Sequence, residues 1–286
     1  GNPVVVIPDP GRMTREQMQR VARGMNFAET SYVVAPTLPE VDFAIRGFSP
    51  TTEVAYSGHQ LLGAAWVLAD AGRLGGPDDA PSTVSVEMGG RSWPVIVERR
   101  GGRVRGVSTL ARPAVVRATL PVERLADVAA ALSLDPSAIL RAELPLEVIE
   151  SGLVCLVVPV RGLVEARGIL PVEQALDTLL QRVGAECLVA FCLETLSPEC
   201  QAHVRVFAPP LGIVEDPATG AASGALAAYL MRHGALDAAH RRGLRCEQGS
   251  EMGRPSRIEV RIDDADPPVV HVGGAVARSA QGTVFY

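Results

Sequence analysis

The sequence predicts an α+β fold with two similar halves, each with strands wrapped around a central helix. Of its 286 residues, 47% are hydrophobic and 21% are charged, which suits a packed core. The predicted strands are not regularly interleaved with helices, so a simple doubly wound sheet is a poor fit. A third observation is an internal repeat.

The repeat consists of two similar apolar stretches. "GHQLLGAAWVLADAGRL" starts at Gly58 and "GAASGALAAYLMRHGAL" starts at Gly220. In both, a glycine opens an Ala/Leu-rich helix and a second glycine closes it, at Gly72 and at Gly234. Two halves that each bury one such helix inside strands produce this pattern; chance similarity of two Ala-rich helices is the alternative.

The first half opens with a buried strand over residues 3 to 7. Thr14 and Gln17 form a capping box for a helix that runs to about Arg23. The pair Gly101-Gly102 joins two strand-like runs and predicts a hairpin. The other predicted elements are strands "ETSYVV" and "VDFAIRGF", helix 60–71, strands 82–88, 93–99 and 103–108, and a proline-bearing crossover between the halves near 113–121.

The second half repeats the mixture of elements. We expect the N-terminal half to span 1–118, completed by the C-terminal strand 275–286, and the C-terminal half to span 119–274. The chain opens on "GNPVVVI" as if inside an element, so we expect that a few residues precede Gly1 in the protein. The predicted elements are helix 122–132, strand 152–160, helix 171–183, strands 187–193 and 202–208, helix 221–233, and strands 256–262, 268–273 and 282–286.

Composition argues against nucleic-acid and membrane partners. The net charge is −5 and aromatic residues make up only 4%, so neither a phosphate-binding surface nor a base-stacking platform is expected. The densest basic stretch, which includes Arg99 and Arg105, is interpreted as a solvated hairpin tip. No apolar run approaches the 18 residues of a membrane helix.

Known cofactor and metal motifs are missing from the sequence. It contains no GxxxxGK[ST] loop, no GxSxG elbow at Ser223, and no HxxxH or HExxH spacing, so we expect neither a nucleotide nor a metal. Its five cysteines form no CxxC pair, and three of them lie in apolar runs. This pattern favours reduced core thiols in a cytoplasmic protein.

Residues 219–224 predict an anion-binding helix start. Their small side chains leave the first amide groups open, and the helix dipole attracts a carboxylate or phosphate. Asp216 stands just before them and either caps the helix or faces the same ligand. Pro217 favours an extended or turn conformation at Asp216.

The first-half repeat has the same construction, with Gly58 and His59 at the helix start and Ser57 available as a cap. A neutral histidine there can make one hydrogen bond within a pocket; an exposed loop histidine is the alternative. Glu29 lies among apolar residues at a strand edge, where a raised pKa suits proton transfer. A solvated acid at a strand start is the competing interpretation.

Six stretches occur in order along nearly the whole chain: "GNPVVVI", "NFAETSYVV", "YSGHQLLGAAWVL", "EDPATGAASGALAAYL", "QGSEMGRPSRIEV" and "VHVGGAVARSAQG". Together they resemble the phenazine-biosynthesis PhzF-like family, relatives of diaminopimelate epimerase. The resemblance implies the diaminopimelate epimerase-like fold, with the active site in the cleft between two similar halves. It also implies a homodimer and cofactor-free isomerase chemistry on a small carboxylate-bearing substrate.

The resemblance assigns roles to individual residues. Glu29 matches the family's proton-shuttling glutamate, and His59 and Asp216 match residues that hold the substrate and assist proton movement. Together these three are the expected catalytic residues, converging on one cleft. The expected substrate-binding residues are Asn2, together with Gly58, Gly220 and Ala221, which supply backbone amides.

Two residues depart from the family pattern: Ala221 replaces a serine after DPATG, and Gln60 replaces a proline after GH. The epimerase relatives use a cysteine pair, and the matching positions here are not cysteine, which argues against a thiol-based epimerase. Three functions stay open: an isomerase, a lyase or racemase on the same scaffold, and a catalytically silent binding protein. The retained acids and histidine favour an enzyme over the last of these.

Overall fold

A computed structural model describes residues 1–110, 113–139, 144–236, 240, 243–262 and 269–286. The chain forms two compact units. The N-terminal unit comprises Pro3–Leu110 and Gly273–Tyr286, and the C-terminal unit comprises Gly1–Asn2 and Ala111–Val272. Because compactness does not test whether each unit folds alone, the domain boundaries predicted at 118/119 and 274/275 stay predictions.

The N-terminal unit is a mixed sheet with two helices. Its strand order is β1-β2-β3-β5-β6-β7, and β4 pairs with β3. Strand β1 runs parallel to β2, and β3 runs parallel to β5. The elements are β1 (Val4–Ile7), α1 (Arg15–Met25), β2 (Glu29–Val34), β3 (Phe43–Phe48), β4 (Glu53–Val54), α2 (Gly58–Asp70), β5 (Ser82–Met88), β6 (Arg91–Arg100) and β7 (Arg103–Leu110).

Helix α2 is the centre of this unit. It contacts all six strands of the sheet path, and its buried face includes Leu61, Ala64, Ala65 and Leu68. Small residues let the strands approach closely: a Cβ added at Gly63 would lie 2.6 Å from a methyl group of Val4. The run of alanine and glycine therefore serves packing as well as helix formation.

The C-terminal unit has a longer sheet with helices on both faces. Its strand order is β16-β15-β14-β12-β11-β10-β9-β8, where β16 belongs to this unit through Val272, and β13 pairs with β12. The elements are β8 (Val115–Thr119), α3 (Leu125–Leu132), β9 (Glu147–Glu150), β10 (Val154–Pro159), α4 (Leu163–Gly168), α5 (Glu173–Val183), β11 (Cys187–Cys192), β12 (Ala202–Ala208), β13 (Ile213–Asp216), α6 (Gly220–Arg232), β14 (Gly243–Gln248), β15 (Ser256–Ile262) and β16 (Val270–Gly274).

Alternation along β10 separates two cores. Cys155 and Val157 pack in the cluster that contains α6, whereas Leu156 and Val158 pack in the cluster that contains α3 and α5. Successive side chains of a strand point to opposite faces, so a strand covered on both faces becomes a continuous apolar run. Within the described ranges, none of the helices has the length and apolar character needed to cross a membrane.

The predicted α+β fold with a central helix in each half is confirmed. The predicted capping box forms, with Thr14 N donating to Gln17 Oε1 at 2.7 Å and Gln17 N donating to Thr14 Oγ1 at 3.3 Å. The glycine pair between β6 and β7 takes positive φ at both positions, as the predicted hairpin requires.

Several element predictions are wrong. The stretch 113–121, predicted as a crossover, contains β8, which pairs antiparallel with β9. Residues 282–286 form no strand, and the last strand ends at Gly274. Residue 268, the start of another predicted strand, lies outside the described residues. Other short elements were missed, among them β4, β9, α4, β13 and β14.

Candidate active site

Glu29, Ser57 and His59 form one polar group in the N-terminal unit. Glu29 begins β2, and Ser57 directly precedes the first residue of α2. Ser57 Oγ donates to Glu29 Oε2 at 2.5 Å and lies 3.2 Å from His59 Nδ1. His59 Nε2 lies 3.2 Å from Glu29 Oε2. The Glu29 and His59 side chains keep 17% and 29% of their surface exposed, so both remain within reach of a ligand.

The hydrogen bonds of Ser57 identify the donor between Ser57 and His59. Because Ser57 has one proton and donates it to Glu29, His59 Nδ1 must be the donor in its contact with Ser57. His59 Nε2 is buried and makes no aligned hydrogen bond in the described structure.

The start of α2 lacks a side-chain cap. Ser57 was predicted to be available as a cap, but its side chain makes no capping hydrogen bond. The first turn of α2 contains no acidic residue. A Cβ added at Gly58 would find its nearest neighbour, the Tyr56 hydroxyl, only at 3.8 Å. Open amides at the positive end of a helix dipole suit an anionic ligand.

Gln60 occupies a buried position in the same first turn. Ser31 Oγ donates to Gln60 Oε1 at 3.0 Å. The amide fits because Gly47 has no side chain: a Cβ there would lie 2.0 Å from Gln60 Oε1. The glutamine that departs from the family pattern is therefore accommodated inside the unit and bonded to β2.

Asn2, Asp216 and Thr219 form a second polar group, in the C-terminal unit. Asn2 Nδ2 donates to Asp216 Oδ1 at 2.9 Å, and the Thr219 hydroxyl donates to Asp216 Oδ2. Asn2 Nδ2 also reaches Ala218 O at 3.3 Å. Asp216 ends the extended strand β13, as the following proline predicts. The N-cap position of α6 belongs to Thr219, so the interpretation of Asp216 as the helix cap is wrong.

Two residues that the sequence analysis missed, the buried Gln248 and the half-buried Ser256, hold the turn between β13 and α6 in place by hydrogen bonds. Gln248 Nε2 donates to Asp216 O at 2.6 Å, and Gln248 Oε1 accepts from Thr219 N at 3.1 Å. Ser256 Oγ donates to Pro217 O at 2.5 Å. Both belong to the stretch "QGSEMGRPSRIEV", which the sequence marks only by its family resemblance.

The start of α6 resembles that of α2. Thr219 makes no side-chain cap, and the first turn contains no acidic residue. Gly220 packs closely, since a Cβ there would lie 3.2 Å from Val272 Cγ1. Ala221 is half-buried beside the turn at Gly152. The substrate-binding roles of Gly58, Gly220 and Ala221 stay predictions.

The predicted site residues therefore assemble as two groups, one in each unit. Glu29 and His59 meet in the N-terminal unit, and Asn2 meets Asp216 in the C-terminal unit. Within the part of the chain that the structure describes, no three His, Cys, Asp or Glu side chains are arranged to hold a metal ion.

The cysteines are poor candidates for catalytic bases. All five are buried and free. Burial raises the pKa of Cys192 to about 12 and that of Cys246 to about 12. Hydrogen bonding with Cys155, whose sulfur lies 3.3 Å away, raises the pKa of Cys187. A thiol with a raised pKa supplies little thiolate near neutral pH.

The chain matches a known protein family over nearly its whole length. The family model described as "Phenazine biosynthesis-like protein" matches residues 1–282. The trans-2,3-dihydro-3-hydroxyanthranilate isomerase of Pseudomonas aeruginosa is 31% identical, over 100% of this chain and 94% of the relative.

Two solved structures show the same fold. A PhzF-family protein of Bacillus anthracis superposes with a TM-score of 0.83 at 24% identity, covering 96% of this chain and 90% of that one. A probable proline racemase of Agrobacterium radiobacter superposes with a TM-score of 0.58 at 14% identity, covering 94% and 84%. With the family model spanning nearly its whole length, this chain belongs to the phenazine biosynthesis-like (PhzF) family and has the epimerase-like fold.

Proposed function

We propose that this protein is an isomerase that moves a proton on a small carboxylate-bearing substrate by acid–base catalysis, without a cofactor. The observation that supports this most directly is the group formed by Glu29, Ser57 and His59. It places a partly exposed carboxylate and an imidazole 3.2 Å apart beside an uncapped helix start. Such a pair can accept and return a proton next to a bound anion.

In the proposed reaction Glu29 removes the proton from a carbon next to the substrate carboxylate. The C–H electron pair passes into an enolate-like system, and Glu29 becomes a carboxylic acid. Glu29 then returns the proton to another carbon, where the electron pair forms the new C–H bond. No net proton or electron is gained or lost, so no co-reactant is needed.

The helix starts supply the stabilisation that this intermediate requires. Negative charge develops on the substrate oxygens when the proton leaves, and oriented amides that are already in place lower that barrier. The amides at Gly58 and at Gly220 and Ala221 are the proposed donors. Asp216, held by Asn2 and Thr219, is proposed to orient the same substrate.

Two features of the chain disfavour other proton-transfer chemistries. None of the 27 basic residues counted as lysine or arginine is a lysine, so this sequence offers no amine for a Schiff base with an aldehyde cofactor. All five thiols are buried, and burial raises the pKa of Cys192 and of Cys246, which disfavours a cysteine-pair racemase. Carboxylate and imidazole groups remain as the bases.

The substrate named for the Pseudomonas aeruginosa relative is the first compound to test. The experiment measures deuterium incorporation from D₂O into trans-2,3-dihydro-3-hydroxyanthranilate and into a panel of small cyclic and unsaturated acids. Isomerisation is expected, with solvent deuterium at the new C–H position in the fraction of turnovers in which the Glu29 carboxylic acid exchanges its proton with water before returning it. Loss of a group such as water from the substrate would identify a lyase, and binding of these acids without exchange would identify a binding protein.

Glu29→Gln tests the role of the carboxylate. The amide keeps the shape but cannot accept a proton near neutral pH, so exchange should fall by about 10²–10⁴-fold. Glu16→Gln, an exposed change on α1 of the same unit, is the matched control and should leave the rate unchanged. A rate of deuterium incorporation near that of the wild type in Glu29→Gln would exclude Glu29 as the residue that transfers the proton.

We further propose that the protein acts as a homodimer in the cytoplasm. Five reduced cysteines suit a reducing compartment. The C-terminal unit exposes large apolar side chains, among them Val164 at 83% and Leu170 at 70%, which a subunit interface would cover.

A further inference from the structure

Each central helix is preceded by a residue whose hydroxyl is not used on the helix. Ser57 and Thr219 occupy the N-cap positions of α2 and α6, with extended backbones. Serine and threonine there normally accept a hydrogen bond from an amide of the first turn. Neither does so here; Ser57 donates to Glu29, and Thr219 donates to Asp216.

In the C-terminal unit, Gln248 determines the direction of the Thr219 hydroxyl. Gln248 Oε1 accepts from Thr219 N at 3.1 Å, which identifies the other amide atom as nitrogen. That nitrogen donates to Thr219 Oγ1 at 3.1 Å. The threonine oxygen therefore accepts from Gln248, and its single proton is directed to Asp216.

The burial of Gln248 restricts its side chain to one set of hydrogen-bond partners. Gln248 is fully buried, so its amide has little freedom to exchange partners with water. Its nitrogen also donates to the Asp216 carbonyl oxygen at 2.6 Å, so one side chain holds both ends of the turn. Fully satisfied buried polar networks of this kind fix one geometry.

The N-terminal unit has the same arrangement of donor, N-cap hydroxyl and carboxylate, built from different residues. Ser57 Oγ donates to Glu29 at 2.5 Å, and His59 Nδ1, at 3.2 Å from that oxygen, takes the place that Gln248 has beside Thr219. In both units the N-cap hydroxyl accepts a hydrogen bond from a neighbouring side chain and donates its own proton to a carboxylate. Neither N-cap side chain bonds an amide of the helix that it precedes.

We propose that Ser57 and Thr219 are positioning residues, which hold Glu29 and Asp216 in place and leave the helix amides free for the substrate. Gln248 positions Asp216 through Thr219. The link with catalysis rests on the proposed function, whereas the link between hydroxyl and carboxylate does not, so the two are tested separately.

The first experiment needs no substrate. A double-mutant cycle combines Thr219→Val with Asp216→Ala and measures urea unfolding of all four proteins. A hydrogen bond to a charged group predicts a coupling of about tenfold in the unfolding equilibrium constant. Asp216→Asn, which keeps the shape but loses the charge, should give a smaller coupling and serves if Asp216→Ala does not fold cooperatively.

Thr178→Val is the matched control for this cycle. Thr178 lies on α5 of the same unit, and its hydroxyl donates to the helix carbonyl of Gln174 at 2.8 Å. Its combination with Asp216→Ala should be additive. If the effects of Thr219→Val and Asp216→Ala on stability are also additive, the positioning role of Thr219 is overturned, independently of any measurement of activity.

The second experiment separates positioning from a structural role. Thr219→Val should lower kcat by about tenfold, the value of one hydrogen bond, with little change in KM. Thr219→Ser, which keeps the hydroxyl, should restore kcat, and Ser57→Ala should behave like Thr219→Val. Unchanged kcat in both hydroxyl deletions would overturn the proposal. Coupling in the first experiment without any turnover by the wild-type protein would support the positioning role and reject the proposed function.

Discussion

Glu87→Gln should destabilise the protein by an amount that can be worked out from its contacts. Glu87 is 6% exposed on β5 and binds the loop that follows β2. Its Oε2 accepts from Thr37 N at 2.6 Å and from Leu38 N at 2.9 Å, and its Oε1 accepts from the Thr37 hydroxyl. Glutamine can keep the two amide bonds, and the hydroxyl can reverse its direction toward the new NH₂ group.

The substitution then removes the charge from three hydrogen bonds. Bonds to charged groups contribute about 1.5–3 kcal/mol and neutral ones about 0.5–1.5, a loss of about 1 kcal/mol for each bond, so the free energy of unfolding should fall by about 3 kcal/mol. Glu87→Ala leaves both amides without an acceptor and should cost about 3–5 kcal/mol. Urea unfolding at pH 7 measures both values.

The difference in the free energy of unfolding between wild type and Glu87→Gln should shrink at low pH. The Thr37 hydroxyl, followed by the Leu38 and Thr37 amides, holds the pKa of Glu87 below its ordinary value of 4.5. A lowered folded-state pKa contributes stability that is present above the unfolded value and is lost as pH falls through the folded value. The gap between wild type and Glu87→Gln should stay constant from pH 7 to about 5 and shrink below 4.5.

Glu40→Gln is the matched control, because Glu40 lies exposed on the same loop and Gln tolerates the same backbone. It should change stability by less than about 0.5 kcal/mol at each pH. A Glu87→Gln gap that stays constant down to pH 3, or widens there, would refute the assignment of this carboxylate as the charged acceptor.

Three further predictions concern the site and the assembly. Asp216→Asn should reduce the rate of deuterium incorporation less than Glu29→Gln does, because an amide can still bind a substrate oxygen. The reverse order in the deuterium assay would mean that Asp216 transfers the proton and Glu29 orients the substrate. Ala221→Leu should weaken binding of sulfate or a small carboxylate, measured by calorimetry, while thermal unfolding stays near wild type, whereas unchanged affinity would show that the α6 amides are not the site. Light scattering at micromolar concentration should give twice the chain mass of 30.1 kDa, and a mass near 30.1 kDa would contradict the dimer.

Local signals in the sequence were sufficient for the elements whose causes are local. The capping box at Thr14, the glycine pair at 101 and 102, and the two Ala/Leu-rich helices each depend on residues a few positions apart. Glu29, His59 and Asp216 were predicted as site residues because small-residue helix starts and ordered motifs mark them, and their roles stay predictions. Short strands such as β9 and β13 were missed, because four residues show too little periodicity to be distinguished from loops.

The use of the N-cap hydroxyls was decided by the tertiary structure alone. By sequence, Ser57 and Asp216 both suit a helix cap, since each stands just before a helix start. The structure brings Glu29 to Ser57 from a separate strand, and Gln248 to Thr219 from a strand 29 positions away. A charged or buried partner offers a hydroxyl a stronger hydrogen bond than a solvated helix amide does, and which partner arrives depends on strand pairing that no local pattern encodes.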